Sequence, residues 1–254
     1  MSSITWTPDE LLSSSRSLSG ECWRVVESQS KGSTLKLTDT LPEQLILENL
    51  IEATKPPIPE QCADMHYLLF TPFRYSPYRQ NSRFRRSGFT SGVFYGAESS
   101  ETAVAEKVFY RLLFFSESPD TPWPANPIDH RAFAAEYNTR KAVDLTAPPL
   151  SLHWTHWTNL TDYTACLEFA DAARIAGIEA IRYESVRDPS SRSNLALLSP
   201  SVLISPQRFA EETWIFHFSK SGVRAICENP PKSLAFGPAA FSADPRTASW
   251  RWDR

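Results

Sequence analysis

Residues 92–106, GVFYGAESSETAVAE, decide how this chain is read. GVFYG is rich in β-formers and bounded by glycine, so it reads as a strand. From Ser99 or Ser100, either of which suits an N-cap, the chain turns into a helix. The apolar positions Ala105, Val108, Phe109 and Leu112 then follow the i, i+3, i+4, i+7 pattern of one buried helical stripe. Glu106 lies beside that stripe in the second turn, with Thr102, Ala103, Phe109 and Tyr110 as its three- and four-residue neighbours. A carboxylate among buried apolar groups costs several kcal/mol unless it is paired, so its presence there points to chemistry.

Working outward, TPDELL near the N-terminus predicts a short helix, with Thr7 as cap, Pro8 at the first helical position, and Asp9 and Glu10 complementing the dipole. CWRVVES reads as a strand. TLPEQLILENLIEATKPP reads as an amphipathic helix with Leu41, Leu45, Leu47 and Ile51 near one side, stopped by Pro56 and Pro57. HYLLFTPFR, residues 66–74, is expected to be a strand and YSPYRQNSRFRRSG a long loop. Beyond a proline-rich loop at 116–131, AAEYNTRKAVDLT reads as a strand. TDYTACLEFADAARIAG reads as a helix capped by Gly177, followed by the strand IEAIRYES. NLALLSPSVL, EETWIFHFS and VRAICE supply further β segments, and the proline- and alanine-rich tail from 229 is expected to pack loosely. Strands and helices mix without regular βαβ alternation, so the expected class is α+β, a mixed or antiparallel sheet core with flanking helices. The expected organisation is an N-terminal helical extension over 1–60, a core over 61–228 and a tail over 229–254.

Composition removes several function classes. Of 254 residues, 41% are hydrophobic and 22% charged, close to ordinary soluble domains. A net charge of -3 gives no global attraction to nucleic acid or to acidic membranes. The first residues lack a signal peptide, and no apolar run approaches a membrane span, so a cytoplasmic protein is expected. Cys22, Cys62, Cys166 and Cys227 are far apart and read as reduced, buried thiols. Phosphate-loop, dinucleotide-binding, nucleophile-elbow and zincin motifs are absent. His153 and His156 in HWTH lack a third ligand of suitable spacing, so no metal is expected.

Two further features carry chemistry. Residues 73–86 hold five arginines (Arg74, Arg79, Arg83, Arg85, Arg86) and no acid, interleaved with Phe73, Tyr75, Tyr78 and Phe84. Guanidinium forks grip phosphates and aromatic rings stack on bases, so the tract suits a nucleotide-like ligand or single-stranded nucleic acid. The second feature is Tyr95 at a strand end together with IRYESVRDPSSRSNLAL, which contains Ser185 and Asn194.

HYLLFTPFRYSPYRQNSRFRR, GVFYGAESSETAVAE and IRYESVRDPSSRSNLAL together resemble the RES-domain toxins of bacterial RES–Xre toxin–antitoxin pairs, in their longer form, from about residue 20 to about 205. The resemblance implies a fold like the diphtheria-toxin type of ADP-ribosyltransferase and an activity that breaks down NAD+ as substrate. It places the family glutamate on Glu106, the tyrosine ahead of it on Tyr95 and the serine on Ser185. The arginine of the family's G-R-W-N stretch falls on Arg83, although this chain reads SRFR. Arg74 and Arg24 both match the earlier arginine; Arg74 lies in the denser match, and Arg85 is a fallback.

On that resemblance Glu106 stabilises positive charge developing on ribose, and Arg74 and Arg83 hold the pyrophosphate. Tyr95 stacks on nicotinamide, Ser185 orients the carboxamide or ribose, and Asn194 joins the binding set. The implied partner is a helix-turn-helix antitoxin of Xre type, with a homodimer as a further expectation and neither membrane nor direct nucleic-acid binding. Water, phosphate and a protein side chain all remain open as ribosyl acceptor. A single-stranded nucleic-acid binder and a non-catalytic nucleotide sensor are the competing readings.

Overall fold

The computed structural model describes residues 6–28, 37–75, 77–118, 120–205, 208–247 and 252–253, so the first five residues of the N-terminal stretch read above lie outside it. Helices are α1 (Pro8–Ser13), α2 (Leu41–Thr54), α3 (Tyr67–Arg74), α4 (Ser100–Ser116), α5 (Trp154–Trp157) and α6 (Thr164–Ile175). Strands are β1 (Arg16–Glu27), β2 (Phe94–Ala97), β3 (Ile128–Asp144), β4 (Ala180–Glu184) and β5 (Ser193–Leu197). They continue as β6 (Leu203–Ile204), β7 (Glu211–Ser219), β8 (Gly222–Cys227) and β9 (Lys232–Phe236). The α+β class with a mixed sheet core holds.

All nine strands join one sheet in the order β1-β2-β5-β4-β3-β7-β8-β9, with β6 on β3. β3 and β4 run parallel, and the other pairings are antiparallel. β1 pairs with β3 along most of its length and also meets β2 through Trp23↔Ala97. The pairings of β1, β2, β5, β4 and β3 therefore form a closed circuit, which leaves those strands few free edges.

Alternation along the strands sorts the core into two faces. Ala132, Val143, Ile181, Tyr183 and Ala196 point to the side covered by α1, α4, α5 and α6. Phe133, Ala142, Ala180, Leu195 and Leu197 point to the side covered by α3. The sites of local structure follow from capping: Thr7 with Glu10 and Thr40 with Glu43 form capping boxes on α1 and α2, and Ser99 caps α4 by accepting from the Thr102 amide at 3.2 Å. Gly177, at φ +70°, ends the α6 segment as its sequence position predicts.

Three expectations need correction. Residues 67–74 form a helix and not a strand: the His66 ring accepts from the Leu68 amide at 3.2 Å, and Leu68, Leu69 and Phe73 bury a helical stripe on the sheet. A Cβ on Gly92 would lie 2.0 Å from the Pro72 carbonyl oxygen, so only glycine lets the strand-bound chain pass the end of this helix. α2 forms as expected but buries no residue, and Leu41, Leu45, Ile46, Leu50 and Ile51 are all exposed. Its apolar residues are scattered around the helix and define no single inward face. Finally, the segment after 229 does not pack loosely: β9 extends the sheet, Lys232 reaches Glu212 and Ser100, and Phe241 and Asp244 are buried.

Candidate active site

α4 delivers Glu106 against the ends of β4 and β5. Asn194 pairs in register with Tyr183 on one side and with Ala97 on the other, and its parity with Ala196 directs it to the α4 face. Ser185 follows β4 and is fully buried. Ser185 Oγ donates to Glu106 Oε1 at 2.7 Å, and Asn194 Nδ2 donates to the same oxygen at 2.7 Å. No described residue donates to Oε2. One carboxylate oxygen is thus fixed by two donors while the other is left for a ligand. Asn194 Oδ1 is buried and has no partner among the described residues, a second polar atom left open at the same point.

The loop after Ser185 is held tightly. Ser185 Oγ also accepts from the amides of Arg187 (3.3 Å) and Asp188 (3.1 Å). Asp188 in turn accepts from Thr102 Oγ1 at 2.7 Å, one turn before Glu106 on α4, and from Arg192 at 2.6 Å. Burial opposes ionisation of Asp188, yet the hydrogen bonds from Arg192, Ser190 and Thr102 outweigh it and hold the carboxyl below its ordinary value. Around Glu106 stand two phenols. Burial first, and then the Glu106 charge, push Tyr183 upward, so it stays protonated. Tyr110, four residues beyond Glu106, is 52% exposed and its ring lies open beside the carboxylate.

Glu106, Ser185 and Asn194 are therefore brought together as the motifs suggest. The other candidates lie elsewhere. The Tyr95 hydroxyl shares a 2.9 Å hydrogen bond with Ser82 Oγ and accepts from the Phe84 amide at 3.0 Å, and burial above all pushes this phenol up. It fastens the loop that carries Arg83. Arg83 is buried, donates to the carbonyls of Trp157 (2.6 Å) and Asn159 (3.0 Å), and stacks over Tyr163 at 4.5 Å. Arg85 stacks over Tyr78 at 3.6 Å and donates to the Gln80 carbonyl. Arg74 binds Glu52 at 2.7 Å and the Pro56 carbonyl at 2.6 Å, tying down the end of α2. With Arg86 paired to Asp171, four of the five tract arginines are engaged inside the chain, and Arg79 is exposed.

Arg24 donates to the Tyr95 carbonyl at 2.8 Å and lies over Phe94. Its parity with Cys22 and Val26 puts it on the α3 face, away from Glu106. There it lines a cavity of 520 Å³ together with Tyr67, Leu68, Thr71, Arg131 and Glu211. Two carboxylates at that cavity, Glu27 and Glu211, are paired to Arg111 and Arg131.

Residues that sequence reasoning missed complete the α4 side. Arg187 binds Asp244 at 2.7 Å, donates to the Leu160 carbonyl at 2.7 Å and lies 4.0 Å from the Phe109 ring centre. Arg187 and Asp188 stand in the quoted motif two and three residues after Ser185, which was the available signal. Asp244 and Arg246 had none. His153 packs its ring against Trp6. Among the described residues no group of three or more His, Cys, Asp or Glu could hold a metal ion, and no helix is long and apolar enough to cross a membrane. All four cysteines are free and buried.

The family model of the RES domain matches residues 58–219. The chain belongs to the RES domain family. The RES-matched segment contains Glu106, Ser185, Asn194, Tyr95, Arg83, Arg85 and Arg74, whereas Arg24, Asp244 and Arg246 lie outside it. No curated protein matches this RES chain significantly. Among solved structures, the M. tuberculosis MbcT–MbcA toxin–antitoxin complex is similar at 11% identity and a TM-score of 0.43, over 91% of this chain and 91% of that one.

Proposed function

We propose that this chain is the toxin of a toxin–antitoxin pair, an NAD+-degrading enzyme of ADP-ribosyltransferase-like fold that cleaves the nicotinamide–ribose bond. The observation that carries the reading is the Glu106 carboxylate, whose Oε1 is fixed by Ser185 and Asn194 and whose Oε2 is left without a donor. When the bond between nicotinamide N1 and ribose C1′ breaks, its electron pair leaves with nicotinamide, which becomes neutral, and C1′ develops oxocarbenium character. A fixed, weakly solvated carboxylate stabilises that cation more strongly than water would, because it needs no reorganisation as the charge appears. An acceptor oxygen then bonds to C1′ and its proton goes to solvent. The acceptor is water, phosphate or a protein side chain.

In this reading Ser185 and Asn194 act by holding Glu106, and Arg83 acts by fixing the segment from Trp157 to Tyr163. Tyr110, exposed beside Glu106, offers the ring for nicotinamide, while Tyr95 supports the loop. Growth would stop as the cytoplasmic NAD+ pool falls, until an antitoxin of Xre helix-turn-helix type covers the site. The internal engagement of four tract arginines argues against the nucleic-acid reading.

The test is NAD+ loss and nicotinamide release by the purified chain beside Glu106→Ala, with and without added phosphate. We expect turnover by the wild type and a fall of about 10³-fold or more in the variant, as for removal of a group acting in the transition state. Equal turnover by both folded proteins, or none by either, removes the proposal.

A further inference from the structure

The α4 face of the site is closed by a segment that lies beyond the RES-matched residues. Phe109, one turn after Glu106, is overlaid by two guanidinium groups: Arg187 at 4.0 Å and Arg246 at 5.3 Å from the ring centre. Both bind one carboxylate. Asp244 accepts from Arg187 Nη1 at 2.7 Å, and its two oxygens accept Arg246 Nε at 3.0 Å and Nη2 at 2.8 Å. Both arginines also donate to the Leu160 carbonyl, at 2.7 Å and 3.1 Å. Arg83 fixes the same connection at Trp157 and Asn159 and stacks on Tyr163.

Three guanidinium groups therefore surround this wall, Asp244 pairs with two of them, and Glu106 stands one turn earlier on α4. The three are not equally available. The side chains of Arg187 and Asp244 are 3% and 1% exposed, and Arg83 is buried, whereas the Arg246 side chain is 32% exposed. Arg246 is also the best oriented, because a bidentate contact with a buried carboxylate fixes the plane of its fork and leaves less side-chain entropy to lose when a ligand binds. Asp244 is itself kept ionised: burial opposes this, but hydrogen bonds from Arg246 and the charges of Arg187 and Arg246 prevail.

The geometry points to Arg246 as the residue that grips the diphosphate of the substrate, with Asp244 as the positioning residue that aims it and Arg187 as the buried brace. The inference rests on the NAD+ reading and deepens it. It assigns the phosphate contact to Arg246, 32% exposed at the α4 wall, and not to Arg74 and Arg85, whose partners lie in α2 and at Tyr78. An anionic diphosphate at this wall would leave the nicotinamide riboside half free to reach Glu106 and Tyr110, which lie at and one turn beyond the same level of α4.

The experiment compares wild type, Arg246→Ala and Arg246→Lys on two substrates, NAD+ and nicotinamide riboside, which lacks the diphosphate. Arg246→Ala is expected to lose about tenfold or more in kcat/KM on NAD+ through KM, the loss of one charge-assisted fork, with Arg246→Lys between. Turnover of nicotinamide riboside should stay within about threefold, on the view that it makes no such contact. Equal losses on both substrates would reveal a merely structural role, and an unchanged KM for NAD+ would overturn the assignment directly. If the wild type cleaves neither substrate, the NAD+ reading fails, and calorimetry with ADP decides the clamp. ADP binding that Arg246→Ala abolishes retains the clamp without the reaction; no ADP binding by the wild type overturns both.

Discussion

Glu106 is held by two neutral donors on a single oxygen, an arrangement that fixes the carboxylate without neutralising it. In the proposed reaction an arginine partner would compete with the developing cation for that charge, which a hydroxyl and an amide do not. Asn194→Asp tests this at constant shape. A second carboxylate 2.7 Å from the first cannot ionise with it at neutral pH, so the pair would hold a proton and titrate as a unit. We expect turnover by Asn194→Asp to be strongly depressed near pH 6 and to rise with pH through an ionisation above the usual carboxylate range. Parallel pH–rate profiles for the variant and the wild type would remove Glu106 from the reaction. The resemblance named Glu106, Ser185 and Asn194, and the structure brings their side chains together. The partners of the arginines were not legible in the sequence. A guanidinium lies at the end of a long, flexible stem, and Arg74, Arg83 and Arg85 found partners in α2, the Trp157–Asn159 segment and Tyr78, which sequence neighbours do not reveal.

At the scale of elements, local signals worked where they were also structural causes. The caps Thr7, Thr40 and Ser99 and the stop at Gly177 set the ends of α1, α2, α4 and the α6 segment as expected. They failed where tertiary packing chose between two short-range options. HYLLFTPFR has β-forming residues, but burying Leu68, Leu69 and Phe73 together on one sheet face requires a helix, because a strand would turn the adjacent Leu68 and Leu69 to opposite sides. α2 is the converse case, a correctly predicted helix whose apolar residues meet no core. The difference from α4 is measurable. Leu112→Ala on α4, where Leu112 is 1% exposed, should cost about 2–5 kcal/mol of unfolding free energy. Leu45→Gln on α2, where Leu45 is 63% exposed, should stay within about 0.5 kcal/mol. Urea unfolding of the isolated chain reads both; a large loss for Leu45→Gln would mean that α2 is packed in solution.

For the molecule as a whole, the closed circuit of strands places β3 at the centre, paired to β1 along one side and to β7 along the other, and His130 lies in that doubly paired stretch. Its ring is fully buried and stacked on Phe216 at 4.0 Å, Nδ1 contacts the Ile128 carbonyl at 3.1 Å, and Nε2 has no partner among the described residues. Burial, the largest cause, with help from the Lys107 and Arg111 charges, lowers its pKa from 6.5 to about 4. The folded protein thus resists a proton that the unfolded chain accepts from about pH 6.5 downward. Stability should fall as pH falls from 6.5 to about 4, by about 3 kcal/mol in total. Asp188 and Asp244 act in a separate window. Their carboxyls are held below the ordinary value of 3.8, so their contribution is complete above that pH and is lost only as pH falls further. The two windows make the cause assignable. His130→Leu should flatten the stability curve between pH 6.5 and 4 and leave the steeper loss below 3.8 in place, whereas Asp244→Asn should soften the lower limb alone. Unfolding free energies measured by urea from pH 7 to 3 distinguish these outcomes, and a wild-type curve that is flat down to pH 4 would show that the strand network lets His130 reach water before the fold gives way.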